Sequence, residues 1–151
     1  MDLKFRVSGR IARPVAEVFE AVVNPAELSR YFTTGGAEGR IETGATVSWD
    51  FADFPGRFPV KVVEVVPDTR IVLHWAADDA DAPAPYDTTV TMTFEALEDR
   101  RTLVTIAEEG WRETAGGLKA AFGNSGGWMQ MLCAMKAWLE HGINLREGMF
   151  R

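Results

Sequence analysis

Glu108 is the residue whose type and position most strongly suggest chemistry. It shares the alternation of Val104 and Ile106, so its side chain should point to the concave face of a sheet near a strand end. A carboxylate in that position could orient a ligand or act as a general acid. The alternative is a rim residue that reaches solvent beside Glu109. Glu108 is therefore a candidate catalytic residue whose role stays open.

A set of aromatic and methionine side chains suggests a cavity for an apolar ligand. Aromatic rings are stiff and do not always fill an interior completely, and methionines make adaptable contacts with apolar ligands. The alternative for each of these residues is ordinary core packing. The candidate cavity residues are Trp49, Phe51, Trp75, Met92, Phe94, Trp111, Trp128, Met131 and Met135.

The remaining polar residues do not compose a recognisable catalytic or metal site. His74 should face outward, because it is opposite in alternation to Leu73 and Trp75, and His141 falls on the polar back of the last helix. Two isolated histidines and Cys133 are too few for a zinc site, which needs about four clustered ligands. No G-x-S-x-G nucleophile elbow is present. We expect no metal and no cofactor.

Two further features give catalysis little support. Arg40 and Arg57 are candidate countercharges for Glu108, although no spacing favours either. The stretch 123–127, Gly-Asn-Ser-Gly-Gly, resembles a flexible hinge more than a phosphate loop, since no lysine follows at the required position.

Composition and charge favour one folded cytoplasmic domain over residues 1–151. The 151 residues are 46% apolar and 25% charged, which is ordinary for a globular chain. The net charge of -6 argues against nucleic-acid binding, which needs clustered basic residues. A single cysteine fits a reducing compartment. The N-terminus alternates instead of presenting a charged cap and an apolar run, so we expect no signal peptide, and no apolar run is long enough for a membrane span.

The first part of the chain predicts a strand and two short helices. Apolar residues alternate over 3–11, which is typical of a strand with one buried face. Pro14 can open a helix, because its missing N–H is not needed in the first turn. The pair Asn24-Pro25 should end that helix, and a second one should run from Pro25 to about Tyr31.

Residues 35–110 predict an antiparallel meander. Apolar and polar residues alternate in short runs separated by turn signals, with no helical segment between them. In the run 57–66 the pair Val62-Val63 breaks the alternation, which suggests a bulge. The acidic stretch 76–87, rich in alanine and proline, should be a mobile surface loop.

The C-terminal part predicts one long helix that begins near Gly126-Gly127. Residues 112–127 contain five glycines, so we expect a loop with one weak helical turn there. The apolar stripe of the helix comprises Trp128, Met131, Leu132, Met135, Trp138 and Leu139. One helix against a curved sheet of about six or seven strands gives an α+β fold with space at its open end.

Three stretches together resemble the family of activators of the heat-shock protein 90 ATPase, a branch of the START-like (SRPBCC) superfamily of helix-grip folds. They are Pro14-x-x-x-Val18-Phe19-x-Ala21-Val22-x-Asn24-Pro25-x-x-Leu28-x-x-Tyr31-Phe32, Val63-Glu64-Val65-x-Pro67-x-x-Arg70-Ile71-x-Leu73-x-Trp75 and Gly127-Trp128-x-x-x-Leu132-x-x-Met135-Lys136-x-x-Leu139-Glu140. They span residues 14–140, and the family usually has tryptophan where this chain has Tyr31.

The resemblance implies a fold and a cavity more than a chemistry. Relatives in the superfamily include lipid carriers, polyketide cyclases and aromatases, hydrolases and proteins that sequester small molecules. The eukaryotic co-chaperones carry an additional docking domain before this one, and this chain begins at the first strand, so we do not expect chaperone binding. Fold-level analogy cannot choose among the other functions.

Three hypotheses follow, and the first leads. The domain binds a small lipophilic or aromatic molecule, or is a cyclase- or hydrolase-type enzyme acting on such a molecule, or regulates a chaperone. Catalysis needs convergent polar groups inside the cavity, and the sequence shows few inward polar residues. The partner is thus expected to be a small apolar ligand, with no nucleic acid and no membrane insertion, and a homodimer is left open.

Overall fold

A seven-stranded antiparallel sheet and one long helix form the body of the protein. The computed structural model describes residues 2–151. The sheet has the strand order β1-β7-β6-β5-β4-β3-β2. The elements in chain order are β1 Leu3–Ile11, α1 Val15–Val23, α2 Pro25–Leu28, β2 Gly36–Glu38, β3 Thr46–Phe51, β4 Phe54–Val66, β5 Arg70–Ala76, β6 Asp87–Ala96, β7 Thr102–Trp111 and α3 Ala115–His141. This is the helix-grip arrangement that the sequence predicted, with both short helices after the first strand.

The alternating pattern of the strands produces the two faces of the sheet. In β6 the apolar residues Val90, Met92 and Phe94 are buried against the core, while the threonines between them are more exposed. The predicted bulge is present in β4, where the pairing with β5 shifts register between Val62 and Glu64. Buried residues of α3, Met131 and Met135 among them, complete the same core.

The two short helices close one side of this core. Helix α1 begins directly after Pro14, and Asn24 caps α2 by accepting a hydrogen bond from the backbone N–H of Ala26 at 3.0 Å. Tyr31 follows α2 and is fully buried, and its hydroxyl donates to the carbonyl of Ala21 at 3.0 Å. Burial raises the pKa of the Tyr31 phenol, so the hydroxyl remains a donor.

Helix α3 begins eleven residues earlier than expected, at Ala115 instead of Gly126. The prediction of a loop over residues 112–127 was therefore wrong. Glycine is unfavourable in a helix by about 1 kcal/mol relative to alanine, but the tertiary contacts at the start of α3 override this preference. Thr114 accepts a hydrogen bond from the N–H of Gly117 at 2.8 Å, which caps the helix.

The acidic loop between β5 and β6 provides the other contacts. It lies on the surface, as expected, but hydrogen bonds tie it to the N-terminus of α3. Asp79 accepts from the hydroxyls of Thr114 at 3.0 Å and Tyr86 at 2.7 Å, and Asp81 accepts from the N–H of Gly116 at 2.6 Å. Carboxylates at this end of a helix are stabilised by its dipole. The hydrogen bond from Tyr86 is the main cause that lowers the pKa of Asp79.

Candidate ligand-binding site

A cleft of about 620 Å³ opens between the middle of α3, the β3–β4 hairpin and the end of β5. Six of its thirteen lining residues are aromatic, and three carry polar side chains. The wall comprises Phe32, Phe51, Phe54, Phe58, Pro59, Trp75, Ala76, Ala77, Asp78, Asn124, Gly127, Trp128 and Arg146. A volume of this size and an apolar lining with few polar groups are typical of small-molecule sites.

A missing side chain on α3 contributes to this space. Gly127 lines the cleft, and a Cβ built on it would meet no heavy atom within 4 Å. A Cβ built on Gly123, one helical turn earlier, would also meet no heavy atom within 4 Å. Gly123, however, does not line the cleft. The glycines that suggested a loop therefore belong to the helix, and one of them leaves room at the wall.

The aromatic wall is built from rings that support one another. The indole of Trp128 lies between Phe32 and Trp75, with ring centroids 5.4 and 5.3 Å away. Trp49 packs edge-on against Trp75 from the core side, at 5.9 Å. Such contacts restrict the rings, because each one fills the space in which its neighbour would rotate.

Glu108 lies behind this wall and is only 1% exposed. Its Oε2 accepts hydrogen bonds from Trp75 Nε1 at 2.8 Å and Thr88 Oγ1 at 2.6 Å. Its Oε1 accepts from Trp128 Nε1 at 2.8 Å. The amide Nδ2 of Asn124 is 3.1 Å from Oε1 and 3.2 Å from Oε2. We call Glu108 and these four donors the Glu108 cluster.

The Glu108 cluster is unusual because no basic side chain within residues 2–151 forms an ion pair with the carboxylate. Four neutral side chains donate to its two oxygens, so the buried carboxyl group is satisfied by hydrogen bonding alone. The candidate countercharges lie elsewhere: Arg40 pairs with Glu20 at 2.7 Å and Arg57 with Glu38 at 2.9 Å. The rim alternative for Glu108 is also wrong, since its side chain is inside the protein.

Arg146 is a second buried polar side chain on the cleft wall. Arg146 follows α3, and its Nε and Nη2 donate to the two carboxylate oxygens of Asp53 at 3.0 and 3.1 Å. Its Nη1 donates to Oε1 of Gln130 at 3.2 Å. The guanidinium also lies over the ring of Phe51, 4.7 Å from the centroid. The C-terminal segment is thereby fastened to the β3–β4 hairpin.

The structure places three of the nine candidate cavity residues on the wall of the cleft. These are Phe51, Trp75 and Trp128. Five others lie in the closed core, where the alternative of ordinary packing describes them: Trp49, Met92, Phe94, Met131 and Met135. Trp111 belongs to a separate small cluster with Ala120 and Ala121.

The other residues considered from the sequence take no part in the cleft. His74, His141 and the exposed Cys133 are absent from its lining. Within the described residues, no three acidic, histidine or cysteine side chains lie close enough together to hold a metal ion. None of the helices described combines the length and apolar composition needed to cross a membrane.

Sequence reasoning missed the polar half of the site. Asn124 was assigned to a hinge, although a helix from Ala115 would have put it one turn before Trp128 on the same side. Arg146 follows the last predicted helix, and its partner Asp53 lies in the turn of a hairpin. No local pattern indicates that these two residues meet.

Comparisons with known proteins agree with this architecture. Residues 12–140 match the family described as Activator of Hsp90 ATPase homolog 1-like protein. The chain belongs to this family. Other members of the SRPBCC/AHSA1 family bind ligands or act as polyketide cyclases. No curated protein matches the chain significantly.

Several solved structures share the fold of this family member. Protein SSP2350 from Staphylococcus saprophyticus is 25% identical, with a TM-score of 0.76, over 97% of this chain and 96% of that one. The Aha1 dimer from Colwellia psychrerythraea is 21% identical, with a TM-score of 0.74, over 92% and 97%. DynU16, from the dynemicin biosynthetic locus, is 23% identical, with a TM-score of 0.77, over 95% of this chain and 49% of its own.

Proposed function

We propose that this domain binds a small molecule with an apolar, aromatic-sized body in the cleft between α3 and the β3–β4 hairpin. The cleft itself carries the proposal: about 620 Å³ are walled by six aromatic rings. Apolar area of this kind supplies affinity without directional chemistry.

The position of Glu108 favours binding over acid catalysis. A general acid must reach the reacting atom directly or through one water. Glu108 does not line the cleft, and both of its oxygens already accept hydrogen bonds from the protein. An enzyme that uses this carboxylate would have to break the cluster first. The polar groups that do line the cleft are better suited to orienting a ligand.

The test uses two matched glycine replacements on the same helix. We expect Gly127→Leu to fill the cleft, because its side chain enters open space at the wall. Gly123→Leu adds the same side chain where it does not line the cleft. Both changes raise helix propensity by roughly 0.8 kcal/mol, so both variants should melt at or above the temperature of the parent protein.

Binding of the neutral fluorescent probe N-phenylnaphthylamine then separates the two variants. The parent and Gly123→Leu should bind it saturably with similar affinity, and Gly127→Leu should lose about ten-fold or more in affinity, because the leucine occupies the space of the ring. Equal affinities in all three proteins, or no saturable binding by the parent, would show that the cleft is not a ligand site.

A further inference from the structure

Among the described polar side chains that line the cleft, Asn124 is half-buried and has one atom, Oδ1, that takes part in no hydrogen bond. Asp78 is exposed in the β5–β6 loop, and Arg146 is held by Asp53 and Gln130. The indole N–H groups of Trp75 and Trp128 both donate to Glu108. Asn124 remains, and it uses only its Nδ2 in the hydrogen bonds to Glu108.

Glu108 fixes which end of the Asn124 amide faces away from it. A carboxylate accepts hydrogen bonds and does not donate them, so the amide nitrogen must be the end that approaches Glu108. The Oδ1 is consequently turned away from the carboxylate. Among residues 2–151 no side chain or backbone group donates a hydrogen bond to Oδ1. The atom is also not fully buried, so a donor on a ligand can reach it.

We propose, resting on the binding function above, that Asn124 selects ligands that carry a hydrogen-bond donor, a hydroxyl or an N–H, on an apolar ring. The Oδ1 is the acceptor that such a donor meets. Glu108 acts as a positioning residue, because it holds the amide in this orientation and keeps both indoles of the wall in place. A ligand that offers only an acceptor in the same place leaves Oδ1 desolvated and unpaired.

Selectivity follows from this unpaired acceptor. Leaving a desolvated polar group without a partner is far less favourable than pairing it, and the difference corresponds to about ten-fold in affinity. Three ring probes of similar size isolate the effect: naphthol carries a donor, methoxynaphthalene carries only an acceptor, and naphthalene carries neither. Equilibrium dialysis against each probe measures the three affinities under the same conditions.

The parent protein should bind naphthol about ten-fold more tightly than methoxynaphthalene or naphthalene. Asn124→Leu should bring the three affinities together, mainly by weakening naphthol, because leucine has a similar size and no acceptor. The other three donors still hold Glu108 in this variant. Ser125→Ala, at the next helical position and outside the lining, should keep the preference of the parent.

Glu108→Gln tests whether Glu108 positions the Asn124 amide. The measured quantity is the preference among the three probes, which a change in stability alone would not alter. The glutamine amide can donate to Oδ1 of Asn124, so the asparagine amide can turn and present Nδ2 to the cleft. We expect the preference for naphthol over methoxynaphthalene to disappear or to reverse. A carboxylate that only stabilised the fold would, when replaced, weaken all three probes by the same factor and leave the preference unchanged, which would contradict the proposal.

The outcomes distinguish this inference from the function on which it rests. Saturable binding of all three probes with equal affinity in the parent would overturn the role of Asn124 and leave the binding function standing. No saturable binding of any probe would overturn both. A preference for naphthol that persists in Asn124→Leu would show that another group of the cleft reads the donor.

Discussion

Two buried carboxylates near the cleft, Glu108 and Asp53, are stabilised in opposite ways. Glu108 is 1% exposed and accepts hydrogen bonds from neutral side chains only. Asp53 is 8% exposed and forms a two-point ion pair with the Arg146 guanidinium. In the first case the dipoles of neutral side chains replace the water around the carboxyl group, and in the second a full countercharge replaces it.

The two carboxylates also connect different parts of the fold. The donors to Glu108 come from β5, β6 and α3, while Glu108 itself lies in β7, so the cluster joins the long helix to three neighbouring strands. Asp53 joins a hairpin turn to the segment after α3. The Glu108 cluster is therefore part of the folded body, and the Asp53–Arg146 pair fastens its end.

Removing the Glu108 carboxylate should have the largest effect on stability. Glu108→Ala leaves two indole N–H groups and the Thr88 hydroxyl without their acceptor in the interior, so we expect the free energy of unfolding to fall by roughly 3–5 kcal/mol. Urea unfolding followed by far-UV circular dichroism measures the change.

Thr88→Val provides the control for this measurement. It removes one donor and leaves the others on Glu108, so the free energy of unfolding should fall by only about 1 kcal/mol. Equal losses of unfolding free energy in Thr88→Val and Glu108→Ala would contradict the view that several neutral donors share the Glu108 carboxylate.

Breaking the ion pair should have an intermediate effect that depends on which partner remains. Asp53→Leu leaves the Arg146 guanidinium buried among aromatic rings without a countercharge, which should cost about 3 kcal/mol. Removing both charges in Asp53→Leu/Arg146→Leu should cost less than Asp53→Leu alone, since no charge is then stranded. A double-mutant cycle from urea unfolding tests this order.

Limited proteolysis adds an independent measurement of the same pair. Cleavage within residues 142–151 should increase in Asp53→Leu, because the guanidinium regains water when the segment detaches. Unchanged cleavage, together with strictly additive losses in the cycle, would show that the pair does not hold the segment on the hairpin.

Asp79 is a surface carboxylate, and its replacement should change stability less than the replacement of Glu108 or Asp53. Its pKa is lowered, chiefly by the hydrogen bond from Tyr86, so it is lower in the folded than in the unfolded protein. The stabilisation is therefore present above the ordinary pKa of about 4 and is lost as the pH falls through the lowered value.

Asp79→Asn should accordingly melt below the parent protein at neutral pH, and the difference should shrink as the pH falls below about 4. Thermal melts at several pH values make the measurement. Asp78→Asn is the control, because Asp78 makes no hydrogen bond to the N-terminus of α3 in the part of the chain described. A difference that is constant with pH would mean that the charge of Asp79 has no role.

The sequence predicted the sheet well because alternation is a local property. The strand β6 and the bulge at Val62 follow from side chains that point to alternate faces, and burial then selects the face. The inward direction of Glu108 was predicted by the same rule. The family motifs predicted the order of the elements, and the structure confirms it.

The polar contacts were not predictable, because they depend on residues far apart in the chain. The start of α3 depends on Asp79 and Asp81, some thirty-five residues earlier, which overcome the unfavourable propensity of five glycines. Without that helix, Asn124 could not be placed beside Trp128. The meeting of Asp53 with Arg146 spans 93 positions and has no periodic signal. Core and cleft aromatics look alike in sequence, since both alternate in the same strands.

Gly127 has a consequence for how this protein can diversify. New specificities in proteins usually arise at the expense of stability, because functional sites are built from unfavourable choices. At Gly127 stability and the shape of the cleft can change together without conflict: any larger residue except proline raises helix propensity, and its Cβ meets open space at the cleft wall. A lineage that carries this glycine can therefore reshape the proposed binding site one substitution at a time, without first acquiring compensating mutations elsewhere.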